Sequence, residues 1–225
     1  MPRRLQSPSS INMYKQCARK YFYRYLKRLP TKPSIHLVRG SVAHKVLEDF
    51  YDLEVDDYDV DIRMTFMQAM IRMLKQYWDD SASQLAKLDM EKEEIAQFYE
   101  ETQLMLINWF EIFWEKFQKQ IKLGLSQSEA FKKVTPKREA LYKFMDVGIQ
   151  GYIDVIEYEG DEVNLMDYKT SKKFKITPEY ELQLAIYAFM YHRQHGVMPT
   201  RAGIYFLKHG VLHLDVNMGL VKWAE

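Results

Sequence analysis

Asp154 and Asp167 face each other in Gly151-Tyr-Ile-Asp-Val-Ile-Glu-Tyr-Glu-Gly-Asp-Glu-Val-Asn-Leu-Met-Asp-Tyr-Lys-Thr170 once this stretch is folded on itself. Two apolar-rich runs flank Gly160-Asp161, a favoured two-residue hairpin connection, so the segment reads as a β-hairpin. Folding about that dipeptide sets Asp154 opposite Asp167. Alternation along the strand puts Lys169 on the face of Asp167 and turns Tyr168 away. Facing carboxylates destabilise a strand pair unless something compensates. A divalent cation can do so, because hard oxygen ligands suit Mg²⁺ or Mn²⁺. The alternative for this segment alone is a solvated hairpin whose charges happen to face each other.

Other elements must bring further groups to this patch. Thr177-Pro178 has the form of an N-cap and first helical position, opening a helix on which Gln183 and Tyr187 share a face. Far earlier, Gly40-Ser-Val-Ala-His-Lys-Val-Leu-Glu-Asp-Phe50 places His44 near a helix start, with Glu48 one turn later. Apolar periodicity predicts helices near 9–29, 40–53, 62–79, 91–122 and 178–195, with Ser126-x-x-Glu129 as a capping box for a short one. Strands are expected at 138–146, 149–158 and 162–169, with a closing pair at 202–208 and 211–216 around His209-Gly210. Helices, a three-strand meander, a helix and more strands describe an α/β sandwich.

In this order the elements resemble the RecB-like branch of the PD-(D/E)XK nuclease superfamily. The resemblance rests on Gly40-x-x-x-His44, Gly151-x-x-Asp154, Asp167-Tyr-Lys-Thr170 and Gln183-x-x-x-Tyr187. It rests also on the opening Ser7-Pro-Ser-Ser-Ile-Asn-Met-Tyr-Lys-Gln-Cys-Ala-Arg-Lys-Tyr-Phe-Tyr23. It implies a restriction-endonuclease-like core, a mixed central sheet flanked by helices. Residues 1–225 would form one domain, with a helical insertion at about 56–135 that could arch over the site. It further implies that His44, Asp154, Asp167 and the Tyr168 carbonyl ligate one or two Mg²⁺ or Mn²⁺ ions. Such ions activate water and neutralise charge on a phosphodiester. Lys169 would orient or deprotonate the attacking water, or stabilise developing charge. Gln183 and Tyr187 would line the substrate groove, positioning a phosphate or the nucleophile. Glu48 and Glu139 are weaker, outer-shell candidates. Some members of this branch hold an iron–sulfur cluster through four cysteines. Cys17 is the only cysteine here, so no such cluster can form within one chain, and Cys17 is expected as a small buried residue on the first helix.

The 225 residues, 47% hydrophobic and 28% charged, suffice for one proper core. A lone cysteine excludes a disulfide scaffold. No apolar stretch follows Met1-Pro-Arg-Arg-Leu5, so neither a signal peptide nor a membrane span is expected. The composition suits an intracellular enzyme, either cytoplasmic or virus-encoded and acting in the host cytoplasm. The net charge of +1 conceals an asymmetry: no acidic residue precedes Glu48, and Lys172, Lys173 and Lys175 follow the Asp-Tyr-Lys motif. Basic segments beside a metal site suit a polyanionic backbone. Interleaved Tyr14, Tyr21, Phe22, Tyr23 and Tyr25 could stack on bases, although packing of the first helix is the primary expectation for most of them. The resulting expectation is a metal-dependent DNA nuclease, an exonuclease preferring single-stranded ends, in recombination, repair or replication and with proteins of those processes as partners. A structure-selective endonuclease, a spacer-trimming nuclease and a catalytically silent DNA-binding subunit are the alternatives.

Overall fold

A computed structural model describes residues 4–225. Helices α1 (Pro8–Gln16), α2 (Ala18–Tyr21), a π-helical turn (Phe22–Leu26), α3 (Ile35–Phe50), α4 (Ile62–Asp80), α5 (Ala82–Leu85), α6 (Lys92–Lys122) and α7 (Gln127–Val134) precede the sheet. Strands β1 (Lys137–Phe144), β2 (Ile149–Glu159) and β3 (Glu162–Lys169) form the expected meander. Helix α8 (Pro178–His195) crosses to β4 (Arg201–Phe206), then β5 (Gly210–Asp215) and α9 (Met218–Ala224). The strands lie in the order β1-β2-β3-β4-β5, antiparallel except for the parallel β3–β4 pair that α8 connects. Gly160-Asp161 forms the two-residue turn, with Gly160 at φ 61°, a conformation glycine adopts without penalty.

Alternation along β3 sorts the two cores. Met166 and Tyr168 enter an aromatic core with α3, α4, α6 and α7, while Leu165 faces α8. Phe50 centres the first core, its ring 4.8 Å from Phe113 and 5.1 Å from Trp109. Removing such a buried ring costs about 3–5 kcal/mol. The insertion therefore forms one wall of the sandwich. The expected arch over the site is corrected accordingly: the cleft holding His44 is lined by residues of α3 and by Glu139, and by none from 56–135.

Two more corrections concern the N-terminus. The expected helix over 9–29 is broken at Cys17, whose φ −164° and ψ 105° are extended. Cys17 is exposed rather than buried, and its Sγ accepts from the Lys20 amide at 3.4 Å as an N-cap of α2. Helix α3 begins at Ile35, not near 40, because Arg39 is buried against Glu101 and extends the inward face. No helix among the described residues is long and apolar enough to cross a membrane.

Candidate active site

The β2–β3 ladder runs from the hairpin turn only as far as Val155–Met166, after which β2 pairs with β1 alone. Asp154 and Asp167 are the next residues in line, at the fork where the strands part. Gly151 lies just beyond, where a Cβ would sit 3.1 Å from Met190 and 3.2 Å from Pro8, so α8 and α1 press against the backbone there. The fork leaves the Tyr168 peptide facing the site. Its N–H donates to Asp154 Oδ2 at 3.4 Å and its carbonyl accepts from His44 Nε2 at 2.9 Å. Since a carbonyl can only accept, the His44 proton sits on Nε2 and Nδ1 is left as an acceptor, 3.4 Å from Asp154 Oδ2.

The ionisation states agree with that arrangement. Burial lowers the His44 pKa, outweighing the pull of Asp167. Burial, then Asp167 and Glu139, push Asp154 well above the usual carboxylate range. Burial works against the charge on Lys169, but the ion pair with Asp167 and the nearby Asp154 outweigh it and raise its pKa. Lys169 is thus an ammonium, and it also lies 5.5 Å from the Tyr180 ring.

Gln183 and Tyr187 serve Asp167. Gln183 Nε2 donates to Asp167 Oδ1 at 2.7 Å and to the Tyr187 hydroxyl at 2.8 Å, and that hydroxyl donates to Oδ1 at 3.3 Å. Both residues also line a cleft of about 340 Å³ with Ser7, Ser9, Lys143 and Tyr152. Their polar ends at the same time orient the Asp167 carboxylate. Asp167 is 1% exposed, and its Oδ2 meets only the Lys169 ammonium, without hydrogen-bond geometry.

Glu139, expected only as an outer-shell candidate, stands in the same cluster. Pairs Arg138–Val155 and Ala140–Ile153 flank it, which puts it across from Asp154 on the neighbouring strand. Its backbone is left-handed at φ 44°, a strained state for a residue with a Cβ. One donor atom each from His44, Glu139 and Asp154 lies within 4.8 Å of the others. Burial, then Glu48 and Asp167, raise the Glu139 pKa. Folding β1 on β2 about the turn Met145–Gly148 would have revealed the pairing from sequence. Glu48 lines the same cleft of about 550 Å³. Lys172, Lys173 and Lys175 are exposed in the loop after β3, with no ion pair among the described residues. A separate cleft of about 500 Å³ around Lys116, Lys133 and Glu157 holds none of these groups.

An imidazole, carboxylates and a peptide carbonyl around one fork form a donor set that fits a divalent cation of the Mg²⁺ or Mn²⁺ kind.

A mixed sheet forked at a carboxylate–lysine motif and flanked by helices defines a class of phosphodiesterase folds. The PD-(D/E)XK nuclease superfamily model matches residues 6–217, and the chain belongs to that superfamily. Among solved structures, a candidate exonuclease from Eubacterium rectale superposes with a TM-score of 0.54 at 11% identity, covering 99% of this chain and 76% of that one. That likeness speaks to the fold. No curated protein matches the sequence closely enough to count as a relative.

Proposed function

We propose that this chain is a divalent-metal-dependent deoxyribonuclease of the RecB-like kind, hydrolysing phosphodiester bonds from single-stranded ends. The observation that carries the reading is the convergence of His44, Glu139 and Asp154 donor atoms within 4.8 Å, beside the Asp167–Lys169 pair. His44, Asp154, Asp167 and the Tyr168 carbonyl would hold the cation, with Glu139 as a further ligand. An imidazole in the set inclines it toward Mn²⁺. When bound, the cation supplies charge neutralisation and a more acidic water. Gln183 and Tyr187 hold the Asp167 carboxylate in one orientation. The Lys169 ammonium, paired to Asp167, supports the role of stabilising developing negative charge over that of a base. Lys172, Lys173 and Lys175 would contact phosphates beside the scissile bond.

Action from ends draws on the likeness to the candidate exonuclease. A second reading, endonucleolytic cutting, is favoured by one observation: no insertion helix lines the His44 cleft. Matched linear and covalently closed single-stranded DNA with Mn²⁺ separates them. Loss of the linear form with the circle spared supports end-dependent action, and equal cutting of both supports the endonuclease. No cutting of either with Mg²⁺ or Mn²⁺ would overturn the nuclease reading.

A further inference from the structure

From the last turn of α1 to just before α3 the chain carries residues 14–33, of which only Tyr21 and Tyr25 are even half-buried. A segment of ordinary composition would hide its rings. Here Tyr14 is 58%, Phe22 40% and Tyr23 40% exposed, with Leu26 and Leu29 exposed beside them. Neither α2 nor the π-helical turn buries a single residue. Of the aromatics expected to pack the first helix, Tyr14, Phe22 and Tyr23 therefore face outward.

The charge of the same segment is of one sign. Lys15, Arg19, Lys20, Arg24, Lys27 and Arg28 are all exposed, and no acidic residue occurs before Glu48. None of them has a carboxylate partner among the described residues. Some lean on rings instead: Arg19 lies 5.7 Å from the Tyr23 centroid and Lys27 5.6 Å from Phe22. Unneutralised cations alternating with exposed rings match a ligand that carries anionic and flat aromatic groups in alternation. A single nucleic-acid strand does so, because every base offers a stacking face and every linkage a charge. A protein partner with an acidic surface would meet the cations but leave no stacking role for the rings.

The surface is continuous with the site. Asn12 donates to the Glu179 carbonyl at 2.8 Å, fixing α1 to the start of α8. Tyr25 reaches Ser9 at 3.5 Å, and Ser9 lines the same cleft as Lys143, Tyr152, Gln183 and Tyr187. Within that cleft Tyr152 and its cross-strand neighbour Leu141 are 53% and 54% exposed, one strand alternation from Asp154 and Glu139 respectively. We infer that a single DNA strand lies along this path, from Tyr152 past Ser9 onto the basic, aromatic face of residues 14–33. The inference deepens the nuclease reading and rests on it for the identity of the strand.

The test is fluorescence anisotropy of labelled dT20 and dT5 in EDTA, where no hydrolysis occurs, with the full-length chain. Phe22→Ala/Tyr23→Ala and Arg19→Glu/Lys20→Glu change exposed side chains only, and thermal melting checks that both variants fold. The aromatic pair should weaken dT20 binding roughly tenfold or more, and the charge pair should lower the salt-dependence slope by about 1 to 2. In both, the affinity gain from dT5 to dT20 should collapse. Wild-type affinity for dT20 in folded variants overturns the path, as does a change only in self-association by light scattering, which would assign the face to a second copy. The two readings fail separately. A wild type that binds dT20 through these residues yet never cleaves it with Mn²⁺ upholds the path and removes the nuclease. Cleavage by a wild type whose binding ignores both variants does the reverse.

Discussion

Replacing Asp154 with asparagine should stabilise the metal-free fold while destroying its response to metal. Asp154 is held at a fork with Asp167 and Glu139 on either side, and its carboxyl is pushed well above the ordinary range by burial and then by those neighbours. Donor atoms of Glu139 and Asp154 lie within 4.8 Å. At that separation two unit charges repel by about 3.5 kcal/mol at an effective dielectric of about 20. Glu139 is exposed, so water reduces this to roughly 1 kcal/mol. Burial beside Asp167 adds a similar penalty, part of which Lys169 offsets, leaving about 1–2 kcal/mol for asparagine to relieve. The oxygen of the new side-chain amide could still accept from the Tyr168 N–H. For a chain of this size each kcal/mol moves Tm by about 2–4 °C, so the gain is about 2–8 °C. The sign with pH is definite. A raised carboxyl pKa means the folded state keeps the proton longer than the unfolded one. The penalty is therefore absent below the ordinary value of 3.8, grows as pH rises, and is complete above the folded-state pKa. The variant's advantage should grow as pH rises above 3.8 and vanish in acid. Saturating Mn²⁺, at about 100 times Kd, should add about 2.7 kcal/mol to the wild type and little to the variant. Thermal melts in EDTA and in Mn²⁺ across this pH range decide it. A variant that melts below wild type in alkaline EDTA, or gains as much from Mn²⁺, would refute the reasoning.

Lys169→Ala should abolish turnover on linear DNA while retaining Mn²⁺ binding by calorimetry, whereas Asp154→Ala should lose both; near-normal rates for Lys169→Ala would end the role given to the ammonium. Glu139→Gly removes a metal donor and relieves a left-handed backbone that costs a residue with a Cβ about 1–2 kcal/mol. That variant should bind Mn²⁺ at least several-fold more weakly, yet lose no thermal stability in EDTA, and unchanged Mn²⁺ affinity would remove Glu139 from the ligand set. Cys17→Ser should leave hydrolysis within about twofold of wild type, since Sγ only caps the four-residue α2. Anaerobically purified protein should contain no iron or acid-labile sulfide, and stoichiometric amounts of both would demand a cluster shared between chains.

Much of the sheet was legible because its signals are local. The Gly160-Asp161 turn sets the register of β2 and β3 with no help from the rest of the chain, and the cap at Thr177-Pro178 marks the start of α8. What escaped depends on contacts distant in sequence. Arg39 interrupts the apolar period of α3 and looks like a surface residue. In the fold it is 2% exposed, paired with Glu101 and donating to the Thr170 carbonyl at 3.0 Å. The rings after Tyr14 have helical spacing but no core to meet, so the continuous helix predicted there is interrupted at Cys17 and loosens into a π-helical turn. Glu139 reads as one polar position of an alternating edge strand until β1 is laid against Asp154. The short α9, capped by Asn217, was not foreseen because its few apolar residues give no clear period.

The fork between β2 and β3 makes part of this centre invisible to side-chain mutagenesis. Tyr168 contributes both polar groups of its backbone, while its ring is buried 5.5 Å from that of Tyr205 and meets the His44 ring edge-on at 5.8 Å. Exchanging the side chain would disturb packing and leave the contributed atoms in place. An alanine scan would therefore score this position as structural. Only a proline, which deletes the N–H, or a slip in strand pairing, which moves the carbonyl, reaches the groups themselves. The identity of such a site is written in where pairing stops, and only secondarily in which residue stands there.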